Sequence, residues 1–209
     1  MKRFLFQGDS ITDAYRLREG DLKYYGYGYA TMVAGRLHQL HPGQLEFLNR
    51  GVSGDRIVDA YARIKQDVIN LKPDYMSVLL GVNDVGHEFV HQNGVDPEKY
   101  EKIYTMFIEE IKAALPDIKI IIMEPFIADG EFTREQDSNF RDAVLQTAAK
   151  ARKVAEKFNL PFVPLQEKFD QWVALYGETY VTHEGVHPTN AGHSLITEAL
   201  VEVFENEVW

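Results

Sequence analysis

Short apolar runs alternate with longer stretches of helical periodicity along the whole chain, and this alternation restricts the possible folds more than any other feature. The apolar runs are Arg3 to Gln7, Leu45 to Asn49, Tyr75 to Leu80, Ile118 to Met123 and Phe162 to Pro164. They read as strands buried on both faces, because a strand covered by helices on both sides has no solvent face to keep polar. Between and after them, Tyr29 to Leu40, Asp55 to Leu71, Pro97 to Leu115, Arg134 to Phe158, Gln166 to Tyr176 and Asn190 to Glu207 read as helices. In the second of these, Ile57, Val58, Tyr61, Ile64, Val68, Ile69 and Leu71 share one face, and Lys72-Pro73 marks the stop. Asp96-Pro97 supplies a capping residue and a first-turn proline for the third. The expected fold is α/β, a doubly wound parallel sheet of about five strands with helices on both faces, whose chemistry gathers at the carboxyl ends of the strands. No internal repeat, linker or low-complexity segment interrupts the 209 residues, so one domain over 1–209 is expected.

Composition narrows the function. At 45% hydrophobic and 26% charged the chain reads as an ordinary soluble protein. A net charge of −10 argues against nucleic acid as a partner, since phosphate backbones are bound by surplus Lys and Arg. The absence of cysteine removes disulfides, thiol catalysis and thiolate metal sites together. No apolar stretch approaches membrane-spanning length, and the apolar run after Met1-Lys2-Arg3 is too short for a secretory signal. A cytoplasmic protein with no membrane partner is the default expectation.

Polar, glycine-bearing clusters follow the strands. Gly8-Asp9-Ser10 follows the first, Asn49-Arg50-Gly51-Val52-Ser53-Gly54-Asp55 the second, and Gly81-Val82-Asn83-Asp84 the third, while Glu184-Gly185-Val186-His187-Pro188 precedes the last helix. In a doubly wound sheet such clusters can converge on one place. Together they offer a serine hydroxyl, an imidazole to take its proton, a carboxylate to orient the imidazole, and donors for a developing oxyanion.

Gly8-Asp9-Ser10-Ile11-Thr12 resembles the first sequence block of the GDSL, or SGNH, hydrolases. Gly54 within Gly51-Val52-Ser53-Gly54 resembles the second block, Asn83 within Gly81-Val82-Asn83-Asp84 the third, and His187 with an acid three residues before it the last. The resemblance runs from Phe4 to about His193. It implies the three-layer, flavodoxin-like SGNH hydrolase fold and a cofactor-independent ester hydrolase with no metal. By the same resemblance Ser10 is the nucleophile, His187 the general base and then acid, and Glu184 the orienting acid. The backbone N–H groups of Ser10 and Gly54 and the Asn83 amide form the oxyanion hole, with Asp9 as a supporting residue. Where the family usually carries aspartate this chain carries Glu184, whose extra methylene needs a different backbone offset. The competing reading there is an exposed Glu184 with His187 held by a backbone carbonyl. Within the family the chain most resembles bacterial carbohydrate acetylesterases of the acetylxylan esterase type, through Tyr24 to Asp59 and the Trp209 terminus. That implies an acetylated sugar as the small-molecule ester substrate; self-association is left open. The alternatives are an esterase or thioesterase acting on acyl lipids or acyl-CoA, and an inactive glycan-binding relative.

Other motifs compete for the same residues. His183-Glu184-Gly185-Val186-His187, with His193 six residues on, spells the H-E-x-x-H pattern of zinc hydrolases. That chemistry needs both histidines on one helical face, and Gly185 and Pro188 oppose a helix there. His87-Glu88-Phe89-Val90-His91 spells the pattern again with no breaker, and Glu109 or Glu110 could supply a third ligand. Solvent-facing or pocket-lining histidines are the simpler reading. Ser53 sits in an incomplete G-x-S-x-G elbow, with Asp55 at the last glycine position, and reads more simply as a turn residue capping the helix that begins near Asp55. Gly26-Tyr27-Gly28 lacks the preceding strand and third glycine of a dinucleotide fingerprint. The aromatic segment Tyr24 to Tyr29 could line a sugar-binding wall or be an ordinary loop, and Phe126, Phe132, Trp172 and Tyr180 could join that rim or belong to the core.

Overall fold

The computed structural model describes residues 1–18, 24–136 and 139–209. Among them, β1 (Lys2–Gly8), β2 (Leu45–Asn49), β3 (Tyr75–Leu79), β4 (Lys119–Met123) and β5 (Phe162–Val163) form one sheet in the order β2-β1-β3-β4-β5, with every neighbouring pair parallel. The register sets Phe4 beside Phe47 on one side and Tyr75 on the other. The helices are α1 (Ser10–Asp13), α2 (Tyr29–Leu40), α3 (Ile57–Ala62), α4 (Ile64–Asp67), α5 (Val82–His91), α6 (Pro97–Ala114), α7 (Glu131–Glu135), α8 (Phe140–Phe158), α9 (Gln166–Tyr176), α10 (Glu178–Val181) and α11 (Asn190–Val203).

The period of two in the strands splits the interior into two cores. Phe4, Phe6, Leu79, Ile121 and Met123 join α2, α9 and α11 through Tyr29, Val33, Leu37, Phe169, Ile196 and Leu200. Leu5, Met76, Val78, Ile120 and Ile122 face the opposite way and join α3 and α6 through Ile57, Ala60, Tyr104, Phe107 and Ile111. The helix α8 feeds both, with Phe140 and Val144 in the first core and Ala151, Val154 and Ala155 in the second. Each fully buried Phe or Leu contributes about 1.5–3 kcal/mol, so a sheet buried on both faces is the natural resting place for these runs. This is the expected three-layer doubly wound fold.

Two expected helices differ from the structure. The stretch from Asp55 to Leu71 breaks at Arg63 and at Val68, ending in a 3₁₀ turn over Ile69–Leu71. Ile57, Ala60, Ile64 and Val68 nevertheless stay buried. Arg63 sits at the first break with its guanidinium reaching both Asp55 and Asp67, a local ion-pair set that replaces helical continuity. The helix expected over Arg134 to Phe158 includes residues 137–138, which lie outside the described residues; the structure has α7 ending at Glu135 and α8 beginning at Phe140. At the C-terminus, α11 passes into a π-helical turn, Phe204–Val208.

Candidate active site

The first strand ends without room for a side chain. A Cβ on Gly8 would lie 2.1 Å from Thr12 Oγ1 and 2.7 Å from the Leu79 carbonyl oxygen, so glycine alone lets α1 spring directly from β1. Asp9 caps that short helix, its Oδ1 accepting the Ile11 N–H at 2.9 Å. Ser10 follows at the first helical position, half-buried, with Oγ 2.9 Å from His187 Nε2. Burial pushes the Asp9 carboxyl up to about 7, against the lowering effects of the Ile11 N–H and the nearby His187.

His187 arrives on a loop rather than a helix. Thr182 and Pro188 form an antiparallel bridge, the His183 N–H donates to the His187 carbonyl at 2.9 Å, and Gly185 between them takes φ +104°. Ala128 steadies this loop by donating its N–H to the Gly185 carbonyl at 2.9 Å. Glu184 Oε1 lies on His187 Nδ1 and also accepts the His187 backbone N–H at 3.2 Å. The longer side chain therefore folds back on its own loop to reach the imidazole, and the reading with an exposed Glu184 and a carbonyl on His187 is not what the geometry gives. The Glu184 hydrogen bond, with its charge, holds His187 above the usual imidazole range although burial pulls the other way. Burial pushes Glu184 up, but its bond to His187 and the charges of His187 and His183 keep it below the ordinary carboxylate range. With Nδ1–H donated to Glu184, the neutral ring presents the Nε2 lone pair to the Ser10 hydroxyl.

The loops after β2 and β3 lie beside this pair. Gly54 adopts φ +85°, the left-handed region that favours glycine, and a Cβ there would meet nothing within 4 Å. Backbone conformation, rather than crowding, is the visible reason for glycine. Asn83, in the first turn of α5, donates its Nδ2–H to the carbonyl of Asp55 at 3.2 Å, directly beside Gly54. Next to it, fully buried Asp84 accepts the Ile57 N–H on both carboxylate oxygens at 3.1 Å. The loop is also laced to α1. Val52 N–H donates to the Gly8 carbonyl at 3.0 Å, Ser53 N–H to Asp13 Oδ2 at 3.1 Å, and Asn49 Nδ2–H to the Thr12 carbonyl at 2.6 Å. Asp13, Asn49 and Asp84 are thus framework residues of the site to which the sequence assigned no role. The only signal was position, Asn49 and Asp84 standing inside the strand-end clusters and Asp13 three residues past the first.

Two cavities meet at His187. One of about 480 Å³ is lined by Ser10, Asp13, Ala14, Tyr15, Arg16, Arg18, Tyr27, Ser53 and His187. The other, about 270 Å³ and mainly apolar, is lined by Val82, Asn83, Gly86, His87, Val90, His91, Phe132, Phe140, Glu184, Val186 and His187.

The competing motifs resolve differently. His87 and His91 lie one turn apart on α5 and line the second cavity, while Glu109 pairs with Lys157 at 3.2 Å and Glu110 accepts from the Tyr61 hydroxyl at 3.1 Å. Among the described residues no three or more His, Asp and Glu side chains gather as a metal site requires. His193 is neither solvent-facing nor pocket-lining. It is buried, its Nδ1 accepts the Tyr29 N–H at 3.2 Å, and burial lowers it to about 4, so it stays neutral. Ser53 does not cap a helix, because Arg56 stands at the N-cap of α3, its backbone N–H donating to Asp59 Oδ2 at 3.0 Å. Tyr27 alone of the Tyr24 to Tyr29 segment lines the first cavity, Tyr29 is core, and Tyr25 packs on Phe47. Phe126 is core, stacked on Phe169 at 3.9 Å, Phe132 lines the second cavity, and Trp172 stacks with Tyr180 at 6.0 Å on α9 and α10.

Comparison with known proteins points the same way. The sequence pattern of the GDSL-like lipase/acylhydrolase family matches residues 6–195. An acetylxylan esterase of Geobacillus stearothermophilus is 34% identical over 209 residues, covering 96% of this chain and 92% of that protein. A crystal structure of a catalytic mutant of an acetylxylan esterase from that organism, with an aspartate changed to alanine, superposes with a TM-score of 0.87 at 31% identity, over 99% of this chain and 95% of the other. A GDSL-like lipase from Parabacteroides merdae superposes with a TM-score of 0.93 at 33% identity, over 98% and 95%. A lipoprotein of Bacillus subtilis, YqeF, is 28% identical over 73% of this chain and 61% of its own length. Among the described residues no helix is long and apolar enough to cross a membrane.

Proposed function

Since the chain belongs to the GDSL-like lipase/acylhydrolase family and is a carboxylic ester hydrolase, we propose that it is a serine esterase that removes acetyl groups from carbohydrate hydroxyls through an acyl-enzyme. The observation that carries the reading is the continuous hydrogen-bonded line from Ser10 Oγ to His187 Nε2, at 2.9 Å, and from His187 Nδ1 to Glu184. Ser10 Oγ attacks the ester carbonyl and its proton passes to Nε2. The resulting imidazolium is stabilised by Glu184, which keeps its charge. The carbonyl oxygen becomes an oxyanion facing the Ser10 and Gly54 N–H groups and the Asn83 amide, donors worth roughly 3 kcal/mol each in comparable sites. Collapse breaks the ester C–O bond, and His187 returns the proton to the departing sugar oxygen. Water then repeats the sequence on the acyl-enzyme and frees acetate and Ser10. Asp9 supports the arrangement by capping α1, which fixes the Ser10 backbone. The acetylxylan esterase likeness supports an acetylated saccharide as substrate.

A second reading rests on the apolar cavity of about 270 Å³ beside Asn83 and His187, with Val82, Phe132, Phe140 and Val186 in its wall. It would accept an acyl chain longer than acetyl. Turnover of acetylated xylo-oligosaccharide and of p-nitrophenyl esters from two to twelve carbons, by wild type and Ser10→Ala, with and without a chelator, separates these readings. The expected result is fastest turnover on acetyl esters, loss in Ser10→Ala and indifference to chelator. A maximum at eight or more carbons would favour a lipid ester, and saccharide binding without turnover a glycan-binding relative.

A further inference from the structure

The cavity in front of Ser10 is lined by two arginines, Arg16 and Arg18, although the chain carries a net charge of −10. Arg18 is paired with Asp13. Arg16 is different: it is only 9% exposed, its Nε donates to the Gly51 carbonyl at 2.7 Å, and no carboxylate among the described residues lies in ion-pair contact with it. Burying a guanidinium costs desolvation, and among the described residues the nearest offsetting charge, Asp13, is already paired with Arg18, while Arg16 borders an open cavity. Its planar fork matches a carboxylate in a way that a hydroxyl-only ligand cannot use.

The aromatic wall is set beside this charge. Tyr15 and Tyr27 stack with ring centroids 5.9 Å apart and their planes inclined by 30°, and Tyr15 is 83% exposed. Ala14 and Tyr15 both hold positive φ, +41° and +59°, a conformation that residues other than glycine usually avoid. Ala14 closes α1 as its left-handed C-cap, its N–H returning to the Ser10 carbonyl at 3.0 Å, and Tyr15 continues that turn with its exposed ring at the mouth of the cavity.

We propose that the cavity is a subsite for a carboxylate on the substrate, so that the esterified saccharide is an acidic, uronic-acid-bearing one. Arg16 takes the carboxylate, Tyr15 and Tyr27 take a pyranose face, and the ester lies at Ser10. This inference rests on the serine-esterase reading for the position of the ester.

The test compares two acetylated oligosaccharides that differ only in one group, a uronic acid carboxyl in the first and the same carbon reduced to the alcohol in the second. Wild type is expected to favour the acid by about tenfold or more in kcat/KM, carried by KM and shrinking with added salt. In Arg16→Gln the ratio is expected to fall to within about twofold. Because the ratio is taken within each protein, a loss of folded enzyme cancels. Titration calorimetry of Ser10→Ala with the two deacetylated saccharides gives a second measurement that needs no turnover and no change at Arg16, with the acid expected to bind about tenfold tighter. Equal kcat/KM values in wild type overturn the carboxylate subsite while leaving the esterase reading standing. Absence of turnover on every ester overturns the esterase reading, and the calorimetric comparison then decides the subsite alone.

Discussion

The string His-Glu-x-x-His occurs twice in this chain and takes two unrelated shapes. At His87 to His91 it is helical, so the two rings meet edge to face one turn apart, 5.6 Å between centroids, on a face of α5. At His183 to His187 it is a bridged loop, with Gly185 at φ +104° and Pro188 closing the pair with Thr182. The same letters therefore bring His to His in one case and Glu to His in the other. What decides is the punctuation: a glycine that can turn left-handed and a proline that withdraws the preceding residue from a helix. In the loop the first histidine turns to solvent, and the glutamate, three residues before the second, becomes its partner.

Removing one imidazole from each string tests which of the two carries the chemistry. His187→Ala, like Ser10→Ala, is expected to lower kcat on an acetyl ester by about 10⁶, the scale seen when a serine or histidine of a comparable triad is lost. A loss under tenfold in His187→Ala, with the protein folded, would end the base assignment. Next comes Glu184. Glu184→Gln is expected to cost about 10⁴ in kcat, since it removes the charge and the tautomer control together. It also moves the pH profile. Glu184 raises His187 above its ordinary value, and catalysis needs the neutral ring, so wild-type kcat/KM falls as pH drops through that raised value. Without the carboxylate the acid limb shifts to lower pH even as the plateau drops, and an unmoved limb would separate Glu184 from the titrating group.

A third test uses the first turn of α5, just before its own histidine string. Asn83→Ala is expected to cost about 10² to 10³ in kcat with little change in KM, because an oxyanion donor acts in the transition state. A change confined to KM would assign Asn83 to ground-state binding. The side chain holds the Asp55 carbonyl at 3.2 Å, so a crystal structure of the variant would reveal whether the Gly54 loop had moved.

How far the sequence reached follows from the range of the forces involved. The four longer strands begin and end within a residue of the apolar runs, because the ladder extends as far as those residues pack into the two cores. The break at Arg63 could not be read, since Ile57, Ala60, Ile64 and Val68 keep a helical period across it and only the pairing of Arg63 with Asp55 and Asp67 marks it. The positions of Ser10, His187, Asn83 and Gly54 in the strand-end clusters were legible from local patterns. Asp84 was not, because its role is to accept the N–H of Ile57, a residue 27 positions earlier that tertiary structure alone brings close. The pairing of Glu184 with His187 lay between these cases: the spacing allowed it, and the left-handed turn at Gly185 made it.

That turn supplies a fourth test. A Cβ on Gly185 would lie 2.5 Å from both Thr133 Cγ2 and Thr133 Oγ1 and 2.7 Å from the Ala128 carbonyl, at a φ that disfavours any other residue. Gly185→Ala is expected to cost about 1–3 kcal/mol in stability by urea denaturation, and more activity than that unfolding explains, since the displaced loop carries both Glu184 and His187. An alanine variant of wild-type stability and rate would mean the loop has a second conformation that serves equally well.

The smallest effect belongs to the helical string. His91 is exposed at the end of α5, and His87 and His91 line the apolar cavity without a hydrogen bond to the Ser10 and His187 pair. The two carboxylates that the sequence offered as a third ligand are engaged elsewhere, Glu109 with Lys157 and Glu110 with the Tyr61 hydroxyl. His87→Ala and His91→Ala are each expected to change acetyl-ester turnover by less than about threefold and stability by no more than about 0.5 kcal/mol, the range of surface substitutions that touch no special feature. Measuring both variants beside wild type after dialysis against a chelator makes the test direct. A hundredfold loss in either variant, mirrored by loss of wild-type turnover under chelator and recovery with zinc, would exchange the roles of the two strings and put the chemistry on the helix.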